Sequence, residues 1–195
     1  MFIELTDHLR CPAEHEESFL VLIPDRLEGR EVLGGILGCP VCHQEYPIVR
    51  GVVEFGVPEQ VALTRPDPAL AEALETFLGI EGPGGYVGLM GEAGALAEPL
   101  ASRLPGIHLG VVNPPAGIVA GAGRSILESP RNPFKARALR GVVLSAPYAT
   151  DPRWQREAIG AVLPGLRIVG AGPAPLVDAL ELLAEAGGWW VGRKK

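Results

Sequence analysis

Cysteine is scarce in this sequence, and that scarcity limits what its most distinctive motif can be. The 195 residues include three cysteines, too few for a metal site of four thiolates or for a framework of several disulfides. Two of them, Cys39 and Cys42, stand in CPVC, which has the spacing of one half of a tetrahedral zinc site. The start MFIELTDHLRCP lacks the basic and apolar regions of a secretory signal. These features together indicate metal binding in a reducing cytoplasm.

Long hydrophobic runs and an excess of positive charge are also lacking. No stretch approaches the roughly 18 apolar residues of a membrane-spanning helix, so we expect no membrane association. The net charge is -6, and the whole excess lies in residues 1–57, which carry ten acidic and four basic residues. Non-specific nucleic-acid binding normally needs a basic surface, so a nucleic-acid binder is disfavoured. We interpret the one basic stretch, PRNPFKARALR, as a solvated face.

The first part of the chain, residues 1–57, consists of short apolar runs broken by turns. The runs SFLVLIP, VLGGILGCP and YPIVRGVVEFG are typical of a small β-rich module. A module of this size buries little apolar surface, so a metal is expected to stabilise it.

A linking segment, residues 58–81, contains the pattern RPDPALAEALETFLG. Asp67 is a good helix N-cap, Pro68 suits the first helical position, and Gly79 can end the helix. We therefore predict a helix that connects the two parts of the chain.

Residues 82–195 alternate between apolar runs and amphipathic segments. This alternation predicts an α/β domain, a Rossmann-like parallel sheet with helices on both faces. The predicted strands are GGYVGLMG, IHLGVVN, RSILES, LRGVVLS, GLRIVGAG and WWVGR, and the predicted helices are AGALAEPLASRL, DPRWQREAIGAVL and APLVDALELLAEAGG.

The second half of a metal site must come from CPAEH, upstream of CPVC. Cys11 supplies one thiolate, and either Glu14 or His15 can supply the fourth ligand. Histidine is the commoner partner of three thiolates in structural zinc sites. We therefore predict one structural zinc bound by Cys11, His15, Cys39 and Cys42. The competing interpretation is that the cysteines are small buried hydrophobic residues.

Two stretches resemble a known family. LTDHLRCP and LGCPVCHQEYPIVRGVVEF, within residues 3–56, resemble the zinc-ribbon family of methyltransferase activator subunits, best known as partners of tRNA methyltransferases. The resemblance implies a zinc-ribbon module and a protein partner. Glu14 stands where the family has a cysteine, which is where this sequence departs from the pattern.

The second part, residues 82–195, resembles class I S-adenosylmethionine-dependent methyltransferases. The resemblance is carried by YVGLMGEAGALAEPLA, LGVVNPPAGI, ESPRNPFKARALRGVVLS and EAIGAVLPGLRIVGAG. It implies a glycine turn after the first strand that lies at the carboxyl end of a parallel sheet, beside the end of the second strand. It also implies S-adenosylmethionine as a cofactor. The cofactor-binding residues that it implies are Gly88, Gly91, Gly94, Asn113 and Glu128.

Two polar positions of that family are apolar here. The acid of the first strand falls at Leu89, and the acid that binds both ribose hydroxyls falls at Val112, with Asn113 beside it. An aliphatic side chain accepts no hydrogen bond, and an unpaired hydroxyl costs about 1–3 kcal/mol. We therefore expect weak or absent cofactor binding, and we expect Val112→Asp to tighten it if the rest of the site is intact.

The sequence offers no clear catalytic residue, so whether the chain is an enzyme stays open. SAPYA at residues 145–149 is reminiscent of the (D/N)PPY motif of amino-methylating enzymes, but Ser145 is a poor substitute for its first residue, and we interpret it as a turn. The first function hypothesis is a methyltransferase-like protein with a degenerate cofactor site, for which an RNA, protein or small-molecule acceptor stays open. The alternative is a non-catalytic adaptor that binds a protein partner, for example a methyltransferase, through the ribbon. The oligomeric state is not determined by the sequence.

Overall fold

The computed structural model describes residues 1–57, 61 and 67–195. Within them, eleven strands form one sheet in the order β1-β2-β3-β4-β7-β6-β5-β8-β9-β11-β10. The strands are β1 Val21–Glu28, β2 Glu31–Gly38, β3 Glu45–Val49, β4 Val52–Glu54, β5 Tyr86–Met90, β6 His108–Val112, β7 Arg124–Glu128, β8 Leu139–Leu144, β9 Val162–Ala171, β10 Leu180–Ala186 and β11 Trp189–Lys194.

Three α-helices accompany the sheet within the described residues. They are α1 Pro68–Leu78, α2 Ala97–Arg103 and α3 Pro152–Ala161, and short 3₁₀ segments cover Ile3–His8, Gly91–Leu96 and Tyr148–Thr150. None of the helices within the described ranges has the length and hydrophobicity of a membrane-spanning helix.

The four strands of residues 1–57 form an antiparallel ribbon, as their pattern predicts. β3 and β4 are joined by Arg50 and Gly51, which both have positive φ and make the tight turn that suits the right-handed twist of the two strands. The ribbon does not stand apart, because β4 pairs in parallel with β7, with Val52 opposite Ile126. The ribbon therefore extends the sheet of the second part of the chain.

The second part of the chain has the expected parallel sheet. β7, β6, β5, β8 and β9 run parallel, and β11 lies antiparallel between β9 and β10. The chain leaves β5 for β6 and β7 on one side and later adds β8 and β9 on the other. This reversal of strand order is where open α/β sheets form a crevice at their carboxyl edge.

The predicted ends of α1 are confirmed. The side chain of Asp67 accepts a hydrogen bond from the amide of Ala69, and Gly79 ends α1 in the left-handed conformation. Asp151 caps α3 through the amides of Arg153 and Trp154. The beginning of the linking segment, residues 58–60 and 62–66, lies outside the described residues.

The helix predicted over APLVDALELLAEAGG is wrong, because this stretch contains β10. Ala186 pairs with Trp189, so Gly187 and Gly188 form a two-residue turn in which both residues have positive φ. That is the Gly-Gly signal of a hairpin, which we interpreted as the end of a helix. Pairing with β11 overrides the helical propensity of the leucines, glutamates and alanines.

Two cores cover the two faces of the sheet. The face that we call the α1–α2 face packs Leu89, Val111 and Val143 against α1 and α2. The opposite face, the α3 face, packs the neighbouring residues of the same strands against α3. The N-terminal segment also covers the α3 face through Met1, Leu5 and Leu9, all fully buried.

Candidate metal centre and cofactor cleft

The four predicted metal ligands come together in the ribbon. The ligand atoms of Cys11, His15, Cys39 and Cys42 all lie within 4.8 Å of one another. The Cys11 and Cys42 sulfurs are 3.6 Å apart, and Cys39 Sγ is 3.4 Å from His15 Nε2. With bonds of about 2.3 Å to sulfur and 2.0–2.1 Å to nitrogen, tetrahedral zinc needs ligand separations of roughly 3.5–3.8 Å. The residues present therefore fit zinc.

Glu14 does not belong to this cluster. Its side chain is exposed, whereas the ring of His15 faces Cys39. The second ring nitrogen of His15, Nδ1, lies 2.6 Å from the carbonyl oxygen of Glu16, a contact that orients the ring toward the sulfurs. Of the two alternatives for the fourth ligand, the geometry favours His15.

The protonation of the thiols differs across the cluster. Burial raises the pKa of Cys11 to about 11, although the Tyr46 hydroxyl, 3.0 Å from the sulfur, partly opposes it. Burial acts in the same direction on Cys39, but the backbone amides of Cys42 and Val41 outweigh it and lower the pKa of Cys39 to about 6. Metal binding requires thiolates, and Cys39 supplies one at neutral pH more readily than Cys11 does.

The segment CPAEH, which carries Cys11 and His15 and which we call the first knuckle, is linked to the second part of the chain by a shared carboxylate. Glu157 of α3 accepts hydrogen bonds from Arg131 and from the amide of Asn132 (3.1 Å), and its Oε2 lies 3.3 Å from Arg10 Nη2. Arg131 also donates to the carbonyl oxygen of Pro12, next to Cys11, over 3.2 Å. The metal cluster therefore rests on the loop that follows β7.

The glycine turn lies where it was predicted, at the carboxyl end of β5 and beside the end of β6. Gly91 has φ +76, and a side chain there would lie 2.2 Å from the Ala146 carbonyl oxygen. A side chain at Gly94 would lie 2.6 Å from Pro114 Cβ. The turn therefore packs directly against the loops that follow β8 and β6, and this contact fills the space above the glycines.

Two amides of this turn are already hydrogen-bonded to the end of β8. Ala93 N donates to the Ser145 hydroxyl over 2.7 Å, and that hydroxyl donates to the Met90 carbonyl oxygen over 2.7 Å. Glu92 N donates to the Ala146 carbonyl oxygen over 2.9 Å. Ser145, which the sequence marked as a poor catalytic substitute, thus ties the end of β8 to the glycine turn.

The side chain of Asn113 is fully engaged too. Its Nδ2 donates to the Ser129 carbonyl oxygen (2.7 Å) and to the Tyr148 hydroxyl (2.9 Å), and its Oδ1 accepts from Ser129 N (2.8 Å). Asn113 is 2% exposed. A ribose could reach this amide only if these bonds were broken.

Three other positions of the family pattern are explained by packing. Val112 and Leu89 are both fully buried, Val112 on the α3 face and Leu89 on the α1–α2 face. An aspartate at 112 would bury a charge in an apolar core, so we now expect Val112→Asp to destabilise the fold. Gly88 lies inside β5, where a side chain would meet Leu139 and Phe134 at 3.0 and 3.4 Å.

Glu128 ends β7 at the edge of a cavity of about 560 Å³, which Asn113, Pro114 and Val52 also line. Burial and then the neighbouring carboxylate of Glu54 raise the pKa of Glu128. A second cavity, of about 110 Å³, lies between Ser145 and α1. These two cavities share no described lining residue.

Comparisons with known proteins were made for the sequence and for the fold. A scan of family models and a comparison with curated proteins both found no match. Among solved structures, the chain is similar to geranyl diphosphate C-methyltransferase from Streptomyces coelicolor A3(2), solved with S-adenosyl-L-homocysteine. Identity is 19%, with 52% of this chain and 42% of that chain covered, at a TM-score of 0.45.

Two further structures give similar values. Phosphoethanolamine N-methyltransferase 2 of Haemonchus contortus, with S-adenosyl-L-methionine, is 15% identical over 56% of this chain and 30% of that chain, at a TM-score of 0.44. A geranyl diphosphate methyltransferase with sinefungin is 20% identical over 52% of this chain and 43% of that chain, at a TM-score of 0.44. The chain thus spans less than half the length of these three methyltransferases.

Sequence reasoning missed the hydrogen-bond partners of Asn113 and of the glycine turn. Ser129 and Tyr148 lie 16 and 35 positions from Asn113, and Ser145 lies 52 positions from Ala93. Only the fold brings them together. The one local signal was ESP at 128–130, where a serine follows the expected adenine-binding acid.

Proposed function

We propose that the chain is a zinc-binding, methyltransferase-like protein whose cofactor cleft is closed by its own residues, and that it acts as a non-catalytic adaptor. The observation that carries the proposal is the engagement of Asn113 with Ser129 and Tyr148. In the family that the sequence resembles, this strand end binds the ribose. Here every polar atom of the Asn113 side chain is satisfied within the protein, and a ligand must compete with those bonds.

The strand order of the second part supports a methyltransferase-like origin. The strands β7, β6, β5, β8 and β9 run parallel with a reversal of strand order after β7, as in doubly wound α/β sheets, and β11 lies antiparallel beside β9. A shared fold does not carry activity with it. The fold therefore supports the ancestry in this proposal, and the contacts in the cleft support the loss of binding.

The ribbon supports the adaptor part. Cys11, His15, Cys39 and Cys42 would hold zinc as a structural ion, since all four positions belong to protein ligands and none is left for a substrate. One edge of the ribbon, β4, is already paired with β7. The ribbon thus docks on the methyltransferase-like part of its own chain, and a partner would have to use another surface. Thiolate ligands also suit the cytoplasm that we propose as its location.

A weakly active methyltransferase is the second candidate. The cavity of about 560 Å³ beside Glu128 favours it, because its size lies in the range of ligand sites. The acid there stands where the family resemblance places the contact to the adenine amino group.

The two candidates can be separated by amide chemical shifts. In a titration of zinc-loaded protein with S-adenosylhomocysteine, the closed cleft predicts no saturable shifts at Gly91, Ala93, Asn113 and Ser129. A methyltransferase predicts saturable shifts at these four amides, and such shifts would reject the adaptor proposal. Shifts confined to Glu128 would indicate that the nucleoside binds only in the cavity of about 560 Å³ beside that residue.

A further inference from the structure

One face of the ribbon is apolar and has no helix above it. In the register of the sheet, Val49 lies opposite Val52, Val52 opposite Ile126, and Ile126 opposite Val111. Paired residues point to the same side, so this row runs across the α1–α2 face. Helices α1 and α2 cover Val111 and the strands beyond it. Within the described residues, no helix lies above β1, β2 and β3 on that side.

The apolar side chains there are exposed. Val21, Ile23 and Val49 expose 45%, 58% and 41% of their surface, and Ile36 and Pro47 lie between them by register. We call this surface the ribbon face; its members are Val21, Ile23, Ile36, Pro47 and Val49. Single exposed apolar residues are ordinary, but a contiguous group on three neighbouring strands marks a site of association.

Carboxylates accompany the ribbon face. Glu45 shares the side of Ile36, and Asp25 lies over the Cα of Gly34 on that same side. Two further carboxylates, Glu54 of β4 and Glu128 of β7, lie opposite each other on the same side of the sheet. No ion pair to these four is formed by the described residues.

Two arginines of the neighbouring strands, Arg26 of β1 and Arg124 of β7, are already engaged within the protein. Arg26 pairs with Glu28, and Arg124 donates to the Val119 carbonyl oxygen. The ribbon face therefore presents apolar surface flanked by uncompensated negative charge, in the part of the chain that holds the whole acidic excess. A partner with positive charge around an apolar stripe complements it.

Two other occupants fit less well. A second copy placed face to face would bring the same carboxylates together, and like charges across an interface are unfavourable. A strand added to the free edge of β1 would meet Pro24, which offers no amide hydrogen, and the irregular register between Pro24 and Leu27. The face, rather than the edge, is the surface suited to a partner.

We propose that the ribbon face binds a basic amphipathic helix of a partner protein. Such a helix sets one apolar stripe on Val21, Ile23 and Val49 and brings lysine or arginine to Glu45 and Asp25. It occupies the layer that α1 and α2 occupy over the neighbouring strands. This inference rests on the proposed adaptor function and names the chemistry of its partner.

A pair of designed peptides provides the probe. The first has leucine along one helical face and lysine elsewhere, over roughly 18 residues or five turns; the second carries glutamate in place of lysine. Fluorescence anisotropy at low salt should show saturable binding of the lysine peptide and binding at least about tenfold weaker for the glutamate peptide. Added salt should weaken the lysine complex.

Matched variants locate the site. Ile23→Ser and Glu45→Gln should each weaken the lysine peptide several-fold. Leu182→Ser and Glu185→Gln, exposed on the opposite edge strand β10, should leave its affinity unchanged. Thermal melting checks that all four variants are folded.

Three results would overturn the inference. They are equal binding of both peptides, no saturable binding of the lysine peptide, and equal effects of the ribbon and β10 variants. A dimer seen by sedimentation that Ile23→Ser dissolves would assign the face to a second copy instead. The cofactor titration is independent of these outcomes, so the adaptor proposal as a whole and this choice of partner can fail separately.

Discussion

Asn113 and Ser129 exchange two hydrogen bonds, one from the amide nitrogen of the asparagine side chain to the serine carbonyl oxygen and one from the serine amide back to the asparagine Oδ1, at 2.7 and 2.8 Å. The pair joins the ends of β6 and β7 at the edge where the resemblance to methyltransferases places the ribose. A ligand can use a buried amide that is satisfied on both sides only after those hydrogen bonds are broken, and leaving the partner groups unsatisfied costs about 1–3 kcal/mol. Polar pairing therefore engages the end of β6 within the protein, and the apolar Val112 precedes it.

Asn113→Asp should destabilise the protein by roughly 2 kcal/mol, because a carboxylate cannot donate to the Ser129 carbonyl and would be buried. The free energy of unfolding from urea titration measures this. The control is Gln44→Glu, an exposed amide-to-acid change that still accepts from Tyr46. A stable Asn113→Asp variant with micromolar cofactor affinity would instead show that position 113 is a ribose site.

Metal content tests the ribbon. Protein purified without chelator should contain about one zinc per chain, measured by elemental analysis. His15→Ala removes one of four ligands, so in competition with a chromophoric chelator it should lower zinc affinity by at least the roughly 10- to 100-fold that loss of an outer-shell partner costs. The neighbouring Glu14→Ala is the matched control and should change little. If Glu14→Ala lost zinc and His15→Ala did not, Glu14 and not His15 would be the fourth ligand.

Glu157 should hold the first knuckle to α3. Glu157→Gln removes the charge that faces Arg10 and Arg131, so we expect a loss of roughly 2 kcal/mol in the free energy of unfolding. Glu72→Gln, in an exposed pair with Arg103, should cost under about 0.5 kcal/mol. Equal small losses in the two variants would mean that the buried network contributes no more than a surface pair.

His108 should make stability depend on pH. Burial, and then the N-terminal ammonium group, lower the pKa of His108 to about 4. The unfolded chain therefore binds a proton at a pH where the folded chain does not, so stability should fall as pH drops from about 6.5 toward 4. His108→Gln should reduce that slope by about one proton. An unchanged slope in His108→Gln would contradict the assignment.

The sequence predicted those parts of the fold that local chemistry determines. CPVC and CPAEH predicted the metal cluster because ligand spacing is a local property, and Asp67, Pro68 and Gly79 predicted α1 because caps are local too. The alternation of apolar runs predicted the parallel sheet. Each of these signals lies within a few residues of the structure that it determines.

What the sequence could not predict depends on distant pairing. Nothing near Val52 indicates that β4 pairs with β7, about 70 residues further on. The stretch from Leu180 to Ala186 has helix-forming residues and becomes a strand only because β11 pairs with it. The closure of the cleft likewise needs Tyr148 beside Asn113. These are tertiary contacts that override local preference.

Calorimetric titration of the zinc-loaded protein with S-adenosylmethionine tests the central claim most directly. If Asn113, Ser145 and the glycine-turn amides are engaged within the protein, binding must first break those hydrogen bonds. Each factor of ten in affinity corresponds to about 1.4 kcal/mol, so we expect either no saturable binding or a dissociation constant in the millimolar range. A dissociation constant in the low micromolar range would show that the cleft opens readily, and it would contradict the non-catalytic adaptor in favour of a methyltransferase.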